Sequence, residues 1–421
     1  MARNNALNEG QNLGTDNTVL GVGAGNALAS GGTDNTCVGD DAGLLISTGD
    51  NNTCVGSGAG AAITTVADNT MIGKDAGLLN TAAGNTFIGA RAGSSLTTGL
   101  KNTLIGVDAG AAMTTTNTND NNVYIGYNAG LVSNGARESV IIGSTAGDAI
   151  TTGDDNVIIG YNACGAGTTS DSVVLIGAYA GVTANIGEAC VGIGLFALDN
   201  ATGAYNVGVG GTAGNAITSG TYNTCLGYGS DALNTGNYQI ALGAGATCTA
   251  SNQMVVGSDA KSVTDYYFGE GVTNATALAI TFQPTGGVGT DKVGGAFNVA
   301  GGKGTGAGEG RVINFQTSDV LGTGTTLQTL TTKATIDVLG NLCIGVTSGG
   351  ATAAKCLTLS NAATAPTSSV DRVQLYAYDI SAGNATLGIF TETAVVTETV
   401  VSDTTLAIKV NGTAYKICLK A

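Results

Sequence analysis

Histidine and tryptophan are absent, proline occurs only at Pro284 and Pro366, and charged residues fill just 11% of the 421 positions. Each shortage excludes something. Without histidine there is no Ser-His-Asp or Cys-His catalysis and no His-ligated metal site. Fifteen Lys+Arg face thirty Asp+Glu, a formal charge of −15 that argues against electrostatic binding to nucleic acid. The near-absence of proline rules out collagen, despite 69 glycines. A hydrophobic content of 43% is too high for a disordered chain. The start of the chain carries no apolar h-region, so no secretory signal is expected. The most apolar stretch, Ser172–Leu198, has the length of a membrane span. Glycines, Thr183, Asn185 and Glu188 interrupt it, and no membrane insertion is expected.

What is abundant is a repeat. A motif of the form Asn-Thr-x-Ile-Gly-x-x-Ala-Gly recurs fifteen times between about residues 17 and 260, with a modal period of 17. We number the copies by their first glycine, the anchor, from Gly21 (coil 1), Gly39 and Gly56 to Gly243 and Gly257 (coil 15). The position before the anchor is always Leu, Val or Ile, and the position three before is Thr, Val, Ile or Met. Such residues favour strands, where positions two apart share a face. One short strand per repeat is therefore expected, with these two positions pointing inward. Ala stands three after the anchor in fourteen copies, with Ser230 the exception, which implies a tight interior corner. Gly follows it in ten copies, as a bend with positive φ would require. Asn fills the position four before the anchor in ten copies and is placed to hydrogen-bond along a column or to cap turns. Turn chemistry fills the rest of each copy. The pattern predicts an all-β fold: a parallel β-solenoid, or β-roll, of about fifteen 17-residue coils, followed by smaller β domains. At the usual strand spacing the rod is roughly 65–70 Å long.

The position two before the anchor points to the other face of the strand. It reads Cys37, Cys54, Met71, Phe87, Leu104, Tyr124, Ile141, Ile158 and Leu175 through the middle coils, with no charge anywhere in the column. A strand apolar on both faces is buried on both faces. These nine residues are accordingly the expected oligomer interface, packing against the same stripe on sister chains. Burial under a loop of the same chain is the alternative, but no long loop recurs in every repeat.

The run Asn85-Thr86-Phe87-Ile88-Gly89-Ala90-Arg91-Ala92-Gly93 resembles the head repeats of trimeric autotransporter adhesins and, equally, repeats in bacteriophage tail fibres. Both resemblances imply a trimeric parallel β-roll. They cover about residues 17–260. Beyond Lys261 the 17-residue register ends. There Ile336-Asp337 through Gly340-Asn341 to Ile344-Gly345 looks like the C-terminal part of phage tail-fibre proteins. A Gly-rich β domain is expected over 261–345, a linker over 346–370, and an antiparallel cap or tip over 371–421. The dipeptide Asn411-Gly412 marks a hairpin there.

The resemblance implies a structural and adhesive fibre protein of the virion tail that presents a receptor-binding surface. Its expected partners are its own copies, a host cell-surface glycan or protein, and other virion tail proteins. A cellular surface adhesin or extracellular filament subunit is the alternative, with localisation outside the cell or on its surface. A tailspike polysaccharide depolymerase is the third reading. No cofactor, catalytic residue or metal ligand is assigned, and the chain is not expected to be an enzyme. Adjacent acids such as Asp40-Asp41 and Asp154-Asp155 point different ways on a strand or turn. Acids recurring before the Asn column (Asp16, Asp34, Asp68, Asp155) and two after the anchor (Asp41, Asp75, Asp108) either recruit cations or simply keep the rod soluble. Gly21-Val22-Gly23-Ala24-Gly25 mimics a dinucleotide fingerprint but is one repeat among fifteen. Tyr127, Tyr161 and Tyr228, with Tyr179 and Phe196, are candidate sugar-stacking rings. Nine cysteines, an odd number, suggest no simple disulfide framework. Cys37, Cys54 and Cys225 share the strand column and are expected as free thiols packing as small hydrophobes, with a Cys37–Cys54 bridge between adjacent coils as the alternative.

Overall fold

The computed structural model describes residues 16–258 except 29–30, 114–119 and 184, then 260–263, 296, 298–301, 312–318, 330–338 and 341–344, with the backbone of six strand segments between 357 and 418. It divides into two units, Met1–Ala275 and Thr276–Ala421.

Unit 1 is the parallel β-solenoid. Each coil contributes one three-residue strand, from Thr18–Leu20 and Thr36–Val38 through Ile240–Leu242, and the fifteenth strand, Met254–Ser258, is longer. The strands pair in sequence order without a crossover, parallel and in register, so Thr36 faces Thr53 and Cys37 faces Cys54. The register ends where Lys261–Ser262 turns back antiparallel on Gly257–Ser258.

The anchor glycines explain how the coils stack so closely. At Gly89, φ is +135°, and an added Cβ would lie 2.4 Å from the carbonyl oxygen of Gly106 on the next coil. Gly143 stands likewise 2.3 Å from the Gly160 oxygen. Backbone stacks directly on backbone there, with no room for a side chain. The bend glycines after the Ala column, such as Gly43 (φ +58°) and Gly93 (φ +57°), meet the expectation of positive φ. The Ala column itself is buried, from Ala24 and Ala42 to Ala213.

The buried Asn column forms a ladder that runs unbroken from Asn17 to Asn122. Asn52 donates both its backbone N–H and its Nδ2 to Asn35 Oδ1, at 3.0 and 3.1 Å. The backbone N–H groups of Asn69, Asn85 and Asn102 each donate to the Oδ1 one coil below. The amide nitrogens also reach turn carbonyls, as from Asn35 Nδ2 to Gly49 O at 2.8 Å. Each side chain thus satisfies polar groups that burial would otherwise leave costly.

The facing of the strand is the reverse of the sequence expectation. Cys37, Cys54, Met71, Phe87, Leu104, Tyr124, Ile141, Ile158 and Leu175 are all 0% exposed and line the interior of their own chain. They are core and not an oligomer interface. The columns one and three before the anchor point outward, half-buried to exposed. Period-two alternation fixes which residues share a face but not which face is inside, and here both faces are apolar. The interior column betrays itself by variable size with local compensation. Where it shrinks to Gly192 and Gly208, Leu198 swings in from a bend position to fill the space. Where it grows to Tyr124, the facing position becomes Ser133, whose hydroxyl pairs with the phenol at 3.0 Å. A second apolar column seven after the anchor (Ile46, Ile63, Leu96, Met113, Ile150) completes the core.

In unit 2, Ile313–Ser318, Leu330–Ile336 and Leu342–Ile344 form an antiparallel sheet, with Leu357–Leu359 added in parallel. In the Ile-Asp…Gly-Asn run the side chains of Asp337 and Asn341 are buried and paired: Asn341 donates its backbone N–H to Asp337 Oδ1 at 2.9 Å and its Nδ2 to Oδ2 at 2.8 Å. Thr405–Val410 and Thr413–Cys418 pair antiparallel, Val410 opposite Thr413, which leaves Asn411-Gly412 as a two-residue connection. No helix among the described residues is long and apolar enough to cross a membrane.

Two outcomes test this architecture. Gly143→Ala should cost about 3 kcal/mol or more, because it combines a forced backbone shift with a strained φ. Gly84→Asn should be near neutral: φ there is +72°, which Asn accepts, and the nearest atom lies 3.5 Å from the new Cβ. Urea melts followed by circular dichroism separate the two. The second outcome concerns thiols. Burial pushes Cys164 up to about 11 and Cys225 up to about 12. At pH 8 a thiol reagent should therefore leave both unmodified in the native protein and label them only after unfolding.

Candidate functional site

The solvent-facing side of the strand sheet runs the length of the fifteen coils of unit 1. Its first column, three before the anchor, is Thr in coils 1–6 (Thr18 to Thr103), Val in coils 7–12 (Val123 to Val207), then Thr224, Ile240 and Met254. Its second column is Leu, Val or Ile throughout, including Ile88, Ile105, Ile125, Ile142, Ile159 and Ile176. None of the thirty positions is charged. These residues stand outward because the strand is only three residues long and its central residue is committed to the core. β-branched residues suit such a flat, pleated face even where it is wet.

Two aromatic ladders border this face. Tyr205, Tyr222 and Tyr238 occupy the position five before the anchor in coils 12–14. Their rings stack at 4.7 and 5.2 Å, nearly parallel, and stay 42%, 48% and 60% exposed. Every residue of this column has positive φ, and most copies use Asp, Asn or Gly there. Three successive tyrosines accept that strain, which costs about 1–3 kcal/mol each, against about 0.5–1.5 kcal/mol per stacked pair. On the other border Tyr179 stacks on Phe196 at 4.9 Å and Tyr161 meets Tyr179 edge-on at 5.2 Å. Tyr228, 70% exposed, lies beside Gly211, where an added Cβ would approach its ring to 3.2 Å.

The sequence candidates now have places. Tyr161, Tyr179 and Phe196 come together in one ladder, while Tyr127 and Tyr228 have no ring contact of this kind among the described residues. The Tyr205 ladder was missed. Its signal was the substitution of Tyr for Asp or Asn at one column position in three consecutive repeats. Asp265-Tyr266-Tyr267-Phe268 lies outside the described residues.

The recurrent acids are explained by backbone geometry. Asp16, Asp34, Asp68, Asp155, Asp41, Asp75 and Asp108 all have φ between +55° and +62°, a region Asp tolerates better than most residues. One position earlier in the coil, acids cap the preceding coil: Thr33 N–H donates to Asp50 Oδ1 and Asp154 N–H to Asp171 Oδ1, both at 2.7 Å. Arg91 pairs with Asp108 at 2.6 Å and Arg137 with Asp154 at 2.7 Å across neighbouring coils, exposed contacts of little energetic weight. Among the described residues no group of three or more His, Cys, Asp or Glu is placed to hold a metal ion. Gly21 to Gly25 forms a turn of coil 1, with no helix after it.

Tyr222→Asn should change stability by no more than about 1 kcal/mol, because the lost stacking is offset by relief at a left-handed position. Thermal melts of the variant and the parent check this.

No model of a known protein family matches the chain, and no curated protein does.

Proposed function

We propose that the protein is a non-enzymatic structural and adhesive fibre subunit, of the kind found in bacteriophage tails, whose copies assemble into a shaft that carries a receptor-binding surface. The observation that carries this reading is the uninterrupted stack of in-register coils, a rod of roughly 65–70 Å built from one strand per turn. Such a shape supplies reach and stiffness. The resemblance of its repeats to tail-fibre and adhesin sequences supports the same conclusion. The partners under this reading are further copies of the chain, neighbouring tail proteins, and a glycan or protein on the host surface. The virion tail is the corresponding location.

Negative-stain imaging with light-scattering mass tests the fibre, and pull-down on candidate host cells tests adhesion. Rods of a multiple of 41.0 kDa that bind cells without releasing reducing sugar are expected. Release of reducing sugar from host polysaccharide would instead establish a depolymerase. Globular 41.0 kDa particles would contradict the fibre.

A further inference from the structure

We infer that the outward Thr/Val-x-Ile face of the strand sheet is a self-association surface, packing against the same face on a second copy, coil against coil. This rests on the fibre reading and assigns it a specific face.

Four observations carry it. The first is size. A strip roughly 65–70 Å long and about 10 Å wide presents about 700 Å². A monomer seldom exposes more than a few hundred Å² of contiguous apolar surface, and a standard interface buries about 800 Å² per partner. The second is composition. The strip has no charge, Leu20, Ile72, Ile193 and Leu226 on it are 36–50% exposed, and stacked tyrosines edge it, as they commonly edge interfaces. The third is charge. Residues 138–260 contain no Lys or Arg, and their acids sit outside the two strip columns. On an acidic rod the strip is a contact at which copies meet without placing like charges against one another.

The fourth is periodicity. A partner of a different rise would lose register within a few coils, whereas a second copy keeps every coil opposite an equivalent one. With a two-fold axis along the rod, the Thr/Val column of one copy meets the Leu/Val/Ile column of the other at every coil, so both columns are covered together. The interior column, Cys37 to Leu175, takes no part.

The test compares the full chain with Ile159→Asp and Ile125→Asp on the strip and Thr65→Asp on an exposed turn. Mass is read by sedimentation and β-structure by circular dichroism. The parent and Thr65→Asp are expected as the same oligomer, and each strip variant as a 41.0 kDa species with its β-signal intact. Should the aspartates unfold the chain, the triple change Ile142→Thr, Ile159→Thr and Ile176→Thr keeps strand-forming residues. It is expected to raise the dissociation constant by about tenfold or more. Strip variants that fold and stay oligomeric, or a triple variant with unchanged affinity, would overturn this face while leaving the fibre reading standing. A monomeric parent would overturn both.

Discussion

The structure depends on one contact: the backbone of each coil resting directly on the backbone of the next at the anchor glycine. A Cβ at Gly56 would come within 2.5 Å of the Gly73 carbonyl oxygen, and most of the column repeats this. With the vertical spacing pinned there, every other column is forced to repeat at the same rise. The interior column must fill a fixed cross-section, so Tyr124 demands a serine and Gly192 demands Leu198. The Asn column must bridge that same gap, which one amide side chain does at about 3 Å per coil. The low proline count belongs here too, since the coil-to-coil amide hydrogen bonds leave little place for a residue without an N–H.

This explains what could be read from the sequence. Period, strand position, bend glycines, the Ala corner and the Asn ladder are each the imprint of a backbone constraint, and such constraints narrow residue choice sharply. The facing of the strand was not legible in the same way. Cys37 and Val38 are both apolar, and their types say only that both prefer to leave water. What decides is volume: the coil encloses one strand residue, the middle one. The Tyr205 ladder escaped for a different reason. Tyrosine is a poor choice for a left-handed position, so residue preference argues against expecting three of them in a column made for Asp and Asn.

The inverted facing changes which strand columns meet solvent. The residues first expected to meet sister chains instead hold each coil shut, and the proposed self-association falls on a face that residue type alone had assigned to the core. That face combines flatness, absence of charge and an aromatic border with a rise shared by every copy. The acids sit on turns, where they satisfy left-handed backbone and cap neighbouring amides, and they keep the remaining surface soluble.

The central claim is that the outward strand columns are covered in the assembled protein and the inward one is covered in every state. Hydroxyl-radical footprinting of the unmodified protein tests this directly. The account predicts that Ile105, Ile142 and Ile159 are protected as fully as Phe87 and Leu104, while Leu45 and Leu79, 47% exposed outside the strip, are oxidised. Oxidation of the three isoleucines to the extent of Leu45 and Leu79 would contradict it.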